Sequence, residues 1–436
     1  MPLLQILPYP ALQATRRISK ITSRTLVSSQ KEEKAVLRIL KEIEKNGNEA
    51  LLRYIREFDA PKMSLKNLLV TTAEREKAHK EVSLTFKKAL RQATAQIKAF
   101  HMLQKRTSFY VNARKGVSLG QVIRPVEKAG IYVPGGSAGQ TPLVSSVLMG
   151  AIPAKVAGVS NVVMASPSRK DGTLDPHLIV AADLAGVDAI YKMGSAWAIG
   201  ALAFGTSSVP QVDVVVGPGN IYVALAKKWV AGRVGIDMIA GPSEILIVAD
   251  KTANPIYIAA DMLGQAEHDA MAASILITDD QNIAKQVVIE LERQMTTVAR
   301  KEIVQRSLKA YGTILLVSSM AKAMEIVNQI APEHLELMTK NPQKELKQVK
   351  NAGAVFLGNY TPEVIGDYIA GPNHILPTAG TARFSSALSV DHFLKKMNVL
   401  SYDKAALQKE VATVVEIART EGMEAHARSA LIRLKN

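Results

Sequence analysis

Residues 129–138 read A-G-I-Y-V-P-G-G-S-A, a short apolar run that breaks into a glycine-rich loop. Such a run is typical of a buried strand that ends in a turn. From here to about Leu246, short β-branched runs alternate with longer stretches of helical spacing. Because alternating strands and helices form βαβ units, we expect a parallel, doubly wound sheet in this part of the chain.

A second set of β/α units follows Asp250. The predicted fold class is α/β: two incomplete Rossmann-like, doubly wound domains, one inserted in the other, with a small N-terminal arm and a helical C-terminal tail. Its predicted parts are residues 1–27 for the arm, 28–129 together with 245–388 for the first α/β domain, 130–244 for the second α/β domain, and 389–436 for the tail.

Between the arm and residue 129, the sequence predicts helices followed by a hairpin. Apolar residues recur at helical spacing from Ser28, and Asn46-Gly47-Asn48 indicates the end of one helix and the start of the next. Apolar runs at 109–111 and 117–123 flank turn residues and predict two paired strands. We expect these helices to pack with the β/α units that follow Asp250.

The composition restricts the classes of function. The chain has 436 residues, no cysteine and a formal net charge of +15. Without cysteine, a bound metal must use histidine, carboxylate or amide ligands. No apolar run approaches the roughly 18 residues of a membrane span, and the start lacks the basic region of a signal peptide, so we expect a cytoplasmic protein. The positive charge favours small anionic ligands, and no nucleic-acid-binding motif is present.

Two junctions between a strand, a glycine turn and a helix are candidates for phosphate binding. They are residues 131–138 and the stretch Val216-Gly217-Pro218-Gly219-Asn220. Backbone N–H groups at such junctions can approach a phosphate. Neither matches the dinucleotide fingerprint G-x-G-x-x-G, and glycine turns are often only turns.

Five of the eight histidines lie in or beside segments rich in glycine, proline, aspartate or glutamate. A helix over Asp261–Ala273 would place Gln265 and His268 on one face, one turn apart. Glu333 and His334 follow a proline and form a candidate acid/base pair, although the first turn of a helix gives the same pattern. A set of nitrogen and oxygen ligands suited to zinc or a similar divalent ion would be Gln265, His268, Asp367 and His426.

Eight ordered motifs resemble those of the histidinol dehydrogenase family, and the resemblance extends from about residue 25 to residue 430. The motifs are A-G-I-Y-V-P-G-G-S-A (129–138), G-P-G-N (217–220), D-M-I-A-G-P-S-E (237–244), G-Q-A-E-H-D (264–269), A-P-E-H-L-E-L (331–337), G-D-Y-I-A-G-P-N-H-I-L-P-T (366–378), A-R-F-S-S-A-L-S-V (382–390) and E-G-M-E-A-H (421–426).

The resemblance implies a zinc-dependent, NAD-linked enzyme of histidine biosynthesis that oxidises L-histidinol through L-histidinaldehyde to L-histidine. It also implies a homodimer in which the tail residues reach the partner's site. The implied residues are Gln265, His268, Asp367 and His426 for zinc; Ser243, His334, Glu421 and the zinc ligands for histidinol; Glu333 and His334 for acid/base catalysis; and Tyr132, Trp197 and Asn220 for NAD.

One position departs from the family pattern. The nucleotide site of the family has a glutamine in G-G-A-Q-A-I, whereas this chain has G-S-A-W-A-I at 194–199, with Trp197 in its place. We expect this change to affect NAD binding, since an indole stacks but cannot accept a hydrogen bond. Three alternatives remain open: a zinc- and NAD-dependent relative that oxidises another small polar alcohol, a metal-dependent hydrolase, and a basic binding module without enzymatic activity.

Overall fold

The computed structural model describes residues 3–24, 30–135 and 141–435. The strands are β1 (Ile6–Pro8), β2 (Phe109–Arg114), β3 (Val117–Pro125), β4 (Lys128–Tyr132), β5 (Asn161–Ser166), β6 (Ala189–Lys192), β7 (Val214–Val216), β8 (Gly235–Ile236), β9 (Glu244–Ala249), β10 (Ala273–Thr278), β11 (Thr313–Leu316), β12 (His334–Met338), β13 (Ala354–Leu357) and β14 (Leu394–Tyr402).

The helices are α1 (Leu12–Thr22), α2 (Gln30–Asn46), α3 (Asn48–Tyr54), α4 (Leu65–Leu68), α5 (Thr72–Glu81), α6 (Leu84–Met102), α7 (Val144–Ala157), α8 (Pro176–Ala185), α9 (Ser195–Phe204), α10 (Ile221–Val230), α11 (Pro255–Ala266), α12 (Gln281–Gln294), α13 (Lys301–Tyr311), α14 (Met320–Ile330), α15 (Pro342–Leu346), α16 (Glu363–Tyr368), α17 (Lys404–Thr420) and α18 (Glu424–Ile432). The predicted start of the first long helix at Ser28 and residues 136–138 of the first glycine loop lie outside the described residues.

A five-stranded parallel sheet occupies residues 128–236, in the order β6-β5-β4-β7-β8. Alternate residues of its strands point to opposite faces, and each face is covered by helices. Helices α6, α7 and α8 cover one face, while α2, α3, α9 and α10 cover the other. The strand order reverses between β4 and β7, and such a reversal opens a crevice beyond the carboxyl ends of the strands.

A six-stranded parallel sheet is built from β1 and from the chain after residue 243, in the order β1-β11-β10-β9-β12-β13. Ile245 and Ile247 pack against α11, α12 and α13, whereas Leu246 and Val248 face α1 and α14. The five-stranded sheet therefore lies between two sequence segments of the six-stranded sheet. The predicted fold class, two doubly wound α/β units with one inserted in the other, is confirmed.

The helices between residues 30 and 102 differ from expectation in their partner. Apolar residues of α2, such as Val36 and Ile43, pack against the five-stranded sheet and its helices, and Leu90 and Ile97 of α6 do the same on the other face. The expectation that these helices pack with the units after Asp250 is therefore wrong. Helical periodicity shows that a face is buried but does not say against which sheet. The domain boundaries themselves stay predictions.

Both ends of the chain join sheets. In the predicted arm, β1 pairs with β11 at the edge of the six-stranded sheet. The predicted hairpin is present as β2 and β3, and β14 adds to it as a third antiparallel strand. The sequence predicted a helical tail, but the tail also contains the strand β14. Most residues of β14 are exposed, so the strand has no buried face that would give an alternating apolar pattern in the sequence. No helix in the described part of the chain combines the length and apolar character that a bilayer crossing requires.

Candidate active site

Glu333 and His334 lie at the amino end of β12, which pairs with β9 and with the edge strand β13 in the six-stranded sheet. His334 is the first residue of this strand and pairs with Ile245 of the neighbouring β9. The alternative interpretation of this stretch, a helix N-terminus, is therefore wrong. Both side chains are buried, and His334 Nδ1 lies 3.1 Å from the carbonyl oxygen of Glu244. When Nδ1 carries the proton and donates to this carbonyl, Nε2 is left as the basic nitrogen.

The Glu333 carboxylate is held by groups that come from the start of β9. The backbone N–H of Glu244 donates to Glu333 Oε2 over 2.9 Å, and the hydroxyl of Ser243 is also hydrogen-bonded to Glu333. The Glu244 side chain forms a buried ion pair of 2.5 Å with Arg24, beyond the end of α1. The predicted substrate residue Ser243 and the predicted base Glu333 are therefore neighbours in space.

Two carboxylates from α16 face His334. Glu363 and Asp367 are four residues apart on this helix, and each offers a ligand atom within 4.8 Å of one on His334. Asp367 was predicted from the sequence, but Glu363 was not. The spacing of four residues between two acids on one helix face was the signal that could have indicated it.

Gln265 and His268 reach the same region from α11, but not as a single helix face. The helix ends at Ala266, and His268 lies in the following turn, where Asp269 accepts a hydrogen bond of 2.7 Å from Met271 N. Short polar side chains of this kind compete with helical hydrogen bonds. Gln265 is buried, and its amide nitrogen can donate to both Glu363 oxygens over 3.0 and 3.1 Å. This orientation leaves the amide oxygen available as a ligand.

The electrostatics of the cluster suit a cation. Burial raises the pKa of the Glu333 and Glu363 carboxyls well above their usual range, and the neighbouring Asp367 charge raises both further. Burial also lowers the pKa of His334 to about 4, so this imidazole is neutral at pH 7. Carboxylates gathered in a low-dielectric site repel one another, and a divalent ion would remove that cost.

A cavity of about 540 Å³ adjoins the cluster. His334, Asp367 and His374 line it on the side of the cluster, and Phe100 and Leu388 are among the apolar residues that complete its wall. A cavity of this size with a few convergent polar groups is suited to a small polar molecule.

The tail residues Glu421 and His426 are not brought to this cluster within one chain. Both side chains are exposed, near the junction of α17 and α18. Within the described ranges, no hydrogen bond or ion pair joins either residue to Gln265, His268 or Asp367. The tail does contact the three-stranded sheet, for example through the ion pair between Arg114 and Glu410.

A second cavity, of about 640 Å³, lies beyond the carboxyl end of β4, where the order of the five-stranded sheet reverses. All three residues predicted to contact NAD, Tyr132, Trp197 and Asn220, line it. Asn220 also caps α10, because its Oδ1 accepts from Tyr222 N and Val223 N. The sequence prediction thus selected three positions that converge on one cavity.

Trp197 is fixed within the wall of this second cavity. Its indole N–H donates to Asp59 Oδ2 over 3.1 Å, and its ring stacks with Phe58 and Tyr54 at centroid distances of 5.3 and 6.0 Å. Asp59, at the end of a π-helical turn over Ile55–Asp59, also lines the cavity and was not predicted. No local sequence signal pointed to it, since its partner is 138 positions away.

Two doubly wound domains, one with a buried acid and imidazole cluster and the other with a crevice at its strand reversal, define a two-domain α/β enzyme with a candidate metal centre. Residues 22–434 match the family model described as histidinol dehydrogenase. The chain therefore belongs to the histidinol dehydrogenase family, whose members are oxidoreductases.

Individual relatives agree with this membership. The chain is 50% identical over 401 residues to a histidinol dehydrogenase of Desulfotalea psychrophila, with 92% of each chain covered. It is 48% identical over 423 residues to one of Bacillus cereus, with 97% of each covered. The crystal structure of histidinol dehydrogenase from Elizabethkingia anophelis matches with a TM-score of 0.93 at 36% identity, covering 100% of this chain and 99% of that one.

Proposed function

We propose that the protein is a zinc-dependent, NAD-linked enzyme that oxidises L-histidinol through L-histidinaldehyde to L-histidine, as part of histidine biosynthesis. The observation that carries this proposal is the cluster of buried His334 and Glu363 with half-buried Asp367, beside a cavity of about 540 Å³, in a chain of the histidinol dehydrogenase family.

The donor set fits zinc. Imidazole nitrogen, carboxylate oxygen and amide oxygen are ligands that zinc accepts in the absence of thiolates. Gln265, His268 and Asp367 would supply three ligands from one chain, and the partner subunit's His426 would supply the fourth. Held by these residues, the ion would supply Lewis-acid chemistry and a point of attachment for the substrate.

His334 is the proposed base for both oxidations. Its imidazole is neutral at pH 7, because burial lowers its pKa to about 4. With Nδ1 donating to the Glu244 carbonyl, Nε2 can accept the proton that leaves the substrate hydroxyl.

Glu333 is the proposed base for water. The second oxidation requires the aldehyde to be hydrated, and a carboxylate whose pKa is raised by burial is a stronger base than an exposed one. The Glu244 N–H and the Ser243 hydroxyl hold this carboxylate in place while it takes a proton from water.

The cavity of about 640 Å³ is the proposed NAD site. It has the location expected of a nucleotide site in a doubly wound sheet, and aromatic rings and Asn220 form its walls. Bound there, NAD would supply the hydride acceptor, one molecule for each of the two oxidations.

Purified protein given L-histidinol and NAD should form two NADH for each histidine. One NADH with accumulation of aldehyde would contradict the four-electron reaction. NADH formation from other small alcohols, but not from histidinol, would instead indicate a family member with another substrate.

Removal of metal by a chelator should abolish turnover, and added zinc should restore it. His268→Asn should lower zinc content and turnover together, since it removes an imidazole ligand. The control His79→Asn changes a histidine on α5, whose Nε2 is hydrogen-bonded to Asp183 over 3.0 Å, and should retain both. Full activity of metal-free protein would exclude the zinc-dependent function.

A further inference from the structure

We propose that Asp59 is the residue that makes the second cavity specific for a dinucleotide with a free ribose 2′-hydroxyl, and hence for NAD over NADP. This inference rests on the proposed NAD-linked function and adds a specificity-determining residue to it. The second cavity contains Asp59 as its sole acidic side chain among the described residues that line it.

The carboxylate of Asp59 is held in one orientation. The indole of Trp197 donates to Oδ2 over 3.1 Å, and the backbone N–H of Gly194 donates as well. Position 194 requires a glycine, because a Cβ there would lie 2.6 Å from Pro167 Cβ. Stacking of Trp197 with Phe58 and with Tyr54 fixes the donor in turn.

Trp197 therefore acts on the ligand through Asp59. Its N–H is already used by the carboxylate and is not available to hydrogen-bond a nucleotide. The residue that departs from the family pattern thus becomes a positioning residue for an acidic side chain, which lines the cavity beside it.

A fixed carboxylate selects donors and rejects anions. An ionised carboxylate has about four acceptor positions and no donor, so two bonds from the protein leave positions for ribose hydroxyls. A 2′-phosphate would bring a second negative charge against it in a partly desolvated site, which is strongly unfavourable. Acidic side chains perform this discrimination in other dinucleotide-binding α/β folds.

The cations of the cavity cannot perform the same selection. Arg38 and Lys170 are exposed at its rim, where they suit a pyrophosphate but would attract a 2′-phosphate equally well. Exclusion of NADP is therefore assigned to Asp59 alone, and removal of its charge should raise the affinity for NADP.

The test is calorimetric titration of NAD, NADP and nicotinamide hypoxanthine dinucleotide into zinc-loaded protein without histidinol. Wild type should bind NAD about 100-fold more tightly than NADP, and Asp59→Asn should reduce this ratio at least about 10-fold, which corresponds to about 1.4 kcal/mol. The matched control is Glu57→Gln, an exposed acid in the same turn that does not line the cavity, and it should keep the wild-type ratio.

Other outcomes separate the two proposals. An unchanged NAD/NADP ratio in Asp59→Asn, with NAD still bound, overturns the role of Asp59 and leaves the NAD-linked function intact. If Asp59→Asn loses only the preference for NAD over the hypoxanthine analogue, the carboxylate contacts the adenine amino group. This result also overturns the role of Asp59 in excluding NADP. Failure of wild type to bind NAD removes the NAD-linked function itself. If Asp59→Asn does not fold, Asp59→Ser removes the same charge and undergoes the same titrations.

Discussion

Glu333 and His334 are neighbours in the chain but have different hydrogen-bond partners. Glu333 accepts from Glu244 N, whereas His334 Nδ1 lies against the Glu244 carbonyl. We therefore expect Glu333→Gln to slow aldehyde oxidation by about 10²-fold or more and alcohol oxidation much less, because only the second step uses water. His334→Asn should slow both steps. Single-turnover measurements started from histidinol and from histidinaldehyde check this, and an equal effect of Glu333→Gln on both would contradict it.

The burial of Asp59 predicts how the free energy of unfolding depends on pH. Burial raises the pKa of its carboxyl to about 6, above the value of about 3.9 for an exposed aspartate. Folding therefore favours the protonated form, so the contribution to stability is full below about pH 4 and is lost as the pH rises through 6. The shift of about two units corresponds to at most about 3 kcal/mol.

Asp59→Asn should consequently stabilise the ligand-free protein at pH 8 by about 1–2 kcal/mol, since an amide oxygen can still accept from Trp197. This gain should be much smaller at pH 4.5. Urea unfolding at the two pH values, with Glu57→Gln as the control, measures the effect. A gain that is the same at both values would show that the charge of Asp59 has no part in it.

At the scale of elements, the junction between β7 and α10 depends on Gly217. This residue has φ +120°, and an added Cβ would lie 2.1 Å from the carbonyl oxygen of Tyr132 in β4. Its backbone is fixed on both sides, because its N–H donates to Asp237 over 2.8 Å and its carbonyl accepts from Lys227 over 2.9 Å. The junction therefore cannot move away from an added methyl group without breaking these bonds.

Gly217→Ala should lower the free energy of unfolding by about 2–4 kcal/mol. It should also weaken NAD binding at the proposed site, because Tyr132 at the end of β4 and Asn220 after Gly217 both line the second cavity. The matched control is Gly232→Ala, where φ is +94° but an added Cβ would meet nothing within 4 Å. It should cost about 1 kcal/mol. Thermal unfolding and NAD titration of both variants measure the difference. Equal losses would mean that backbone strain, and not the clash with Tyr132, dominates.

At the scale of the molecule, the tail is the part least able to act alone. Val415, Ala418 and Ala427 form its small buried cluster, while Ile417 and Ile432 are exposed. Glu421 and His426 lie on this tail with exposed side chains, and neither lines the cavity beside His334. In a homodimer that exchanges tails, each tail would complete the partner's site.

Complementation tests this exchange. His268→Asn and His426→Asn variants, each inactive, are unfolded together and refolded in equal amounts. In a mixed dimer, one site combines both substitutions and the other has neither. Random pairing makes about half of the dimers mixed, so about a quarter of wild-type activity should return. Refolding each variant alone is the control. If mixed dimers form without activity, each tail serves its own chain and the shared site is excluded.

The sequence by itself determined the fold class and most of the elements. Strands such as β10 and β11, and the helix α14, follow from apolar runs and helical spacing, since periodicity is a property of a short window of sequence. Residue chemistry likewise limited the metal ligands to histidine, carboxylate and amide, because the chain has no cysteine. The motifs selected Tyr132, Trp197 and Asn220, which share a cavity.

Only the tertiary structure decided which distant residues meet. The sequence predicted which faces of α2 and α6 are buried, but not the sheet that covers them. The hydrophobic effect favours burial against any apolar surface and does not select one. Glu363 is part of the cluster because α16 lies near β12 in the folded chain. Asp59 is held in its orientation by Trp197, which is 138 positions away in the sequence. A contact between such distant positions depends on how whole sheets and helices pack, which no local pattern of residues encodes.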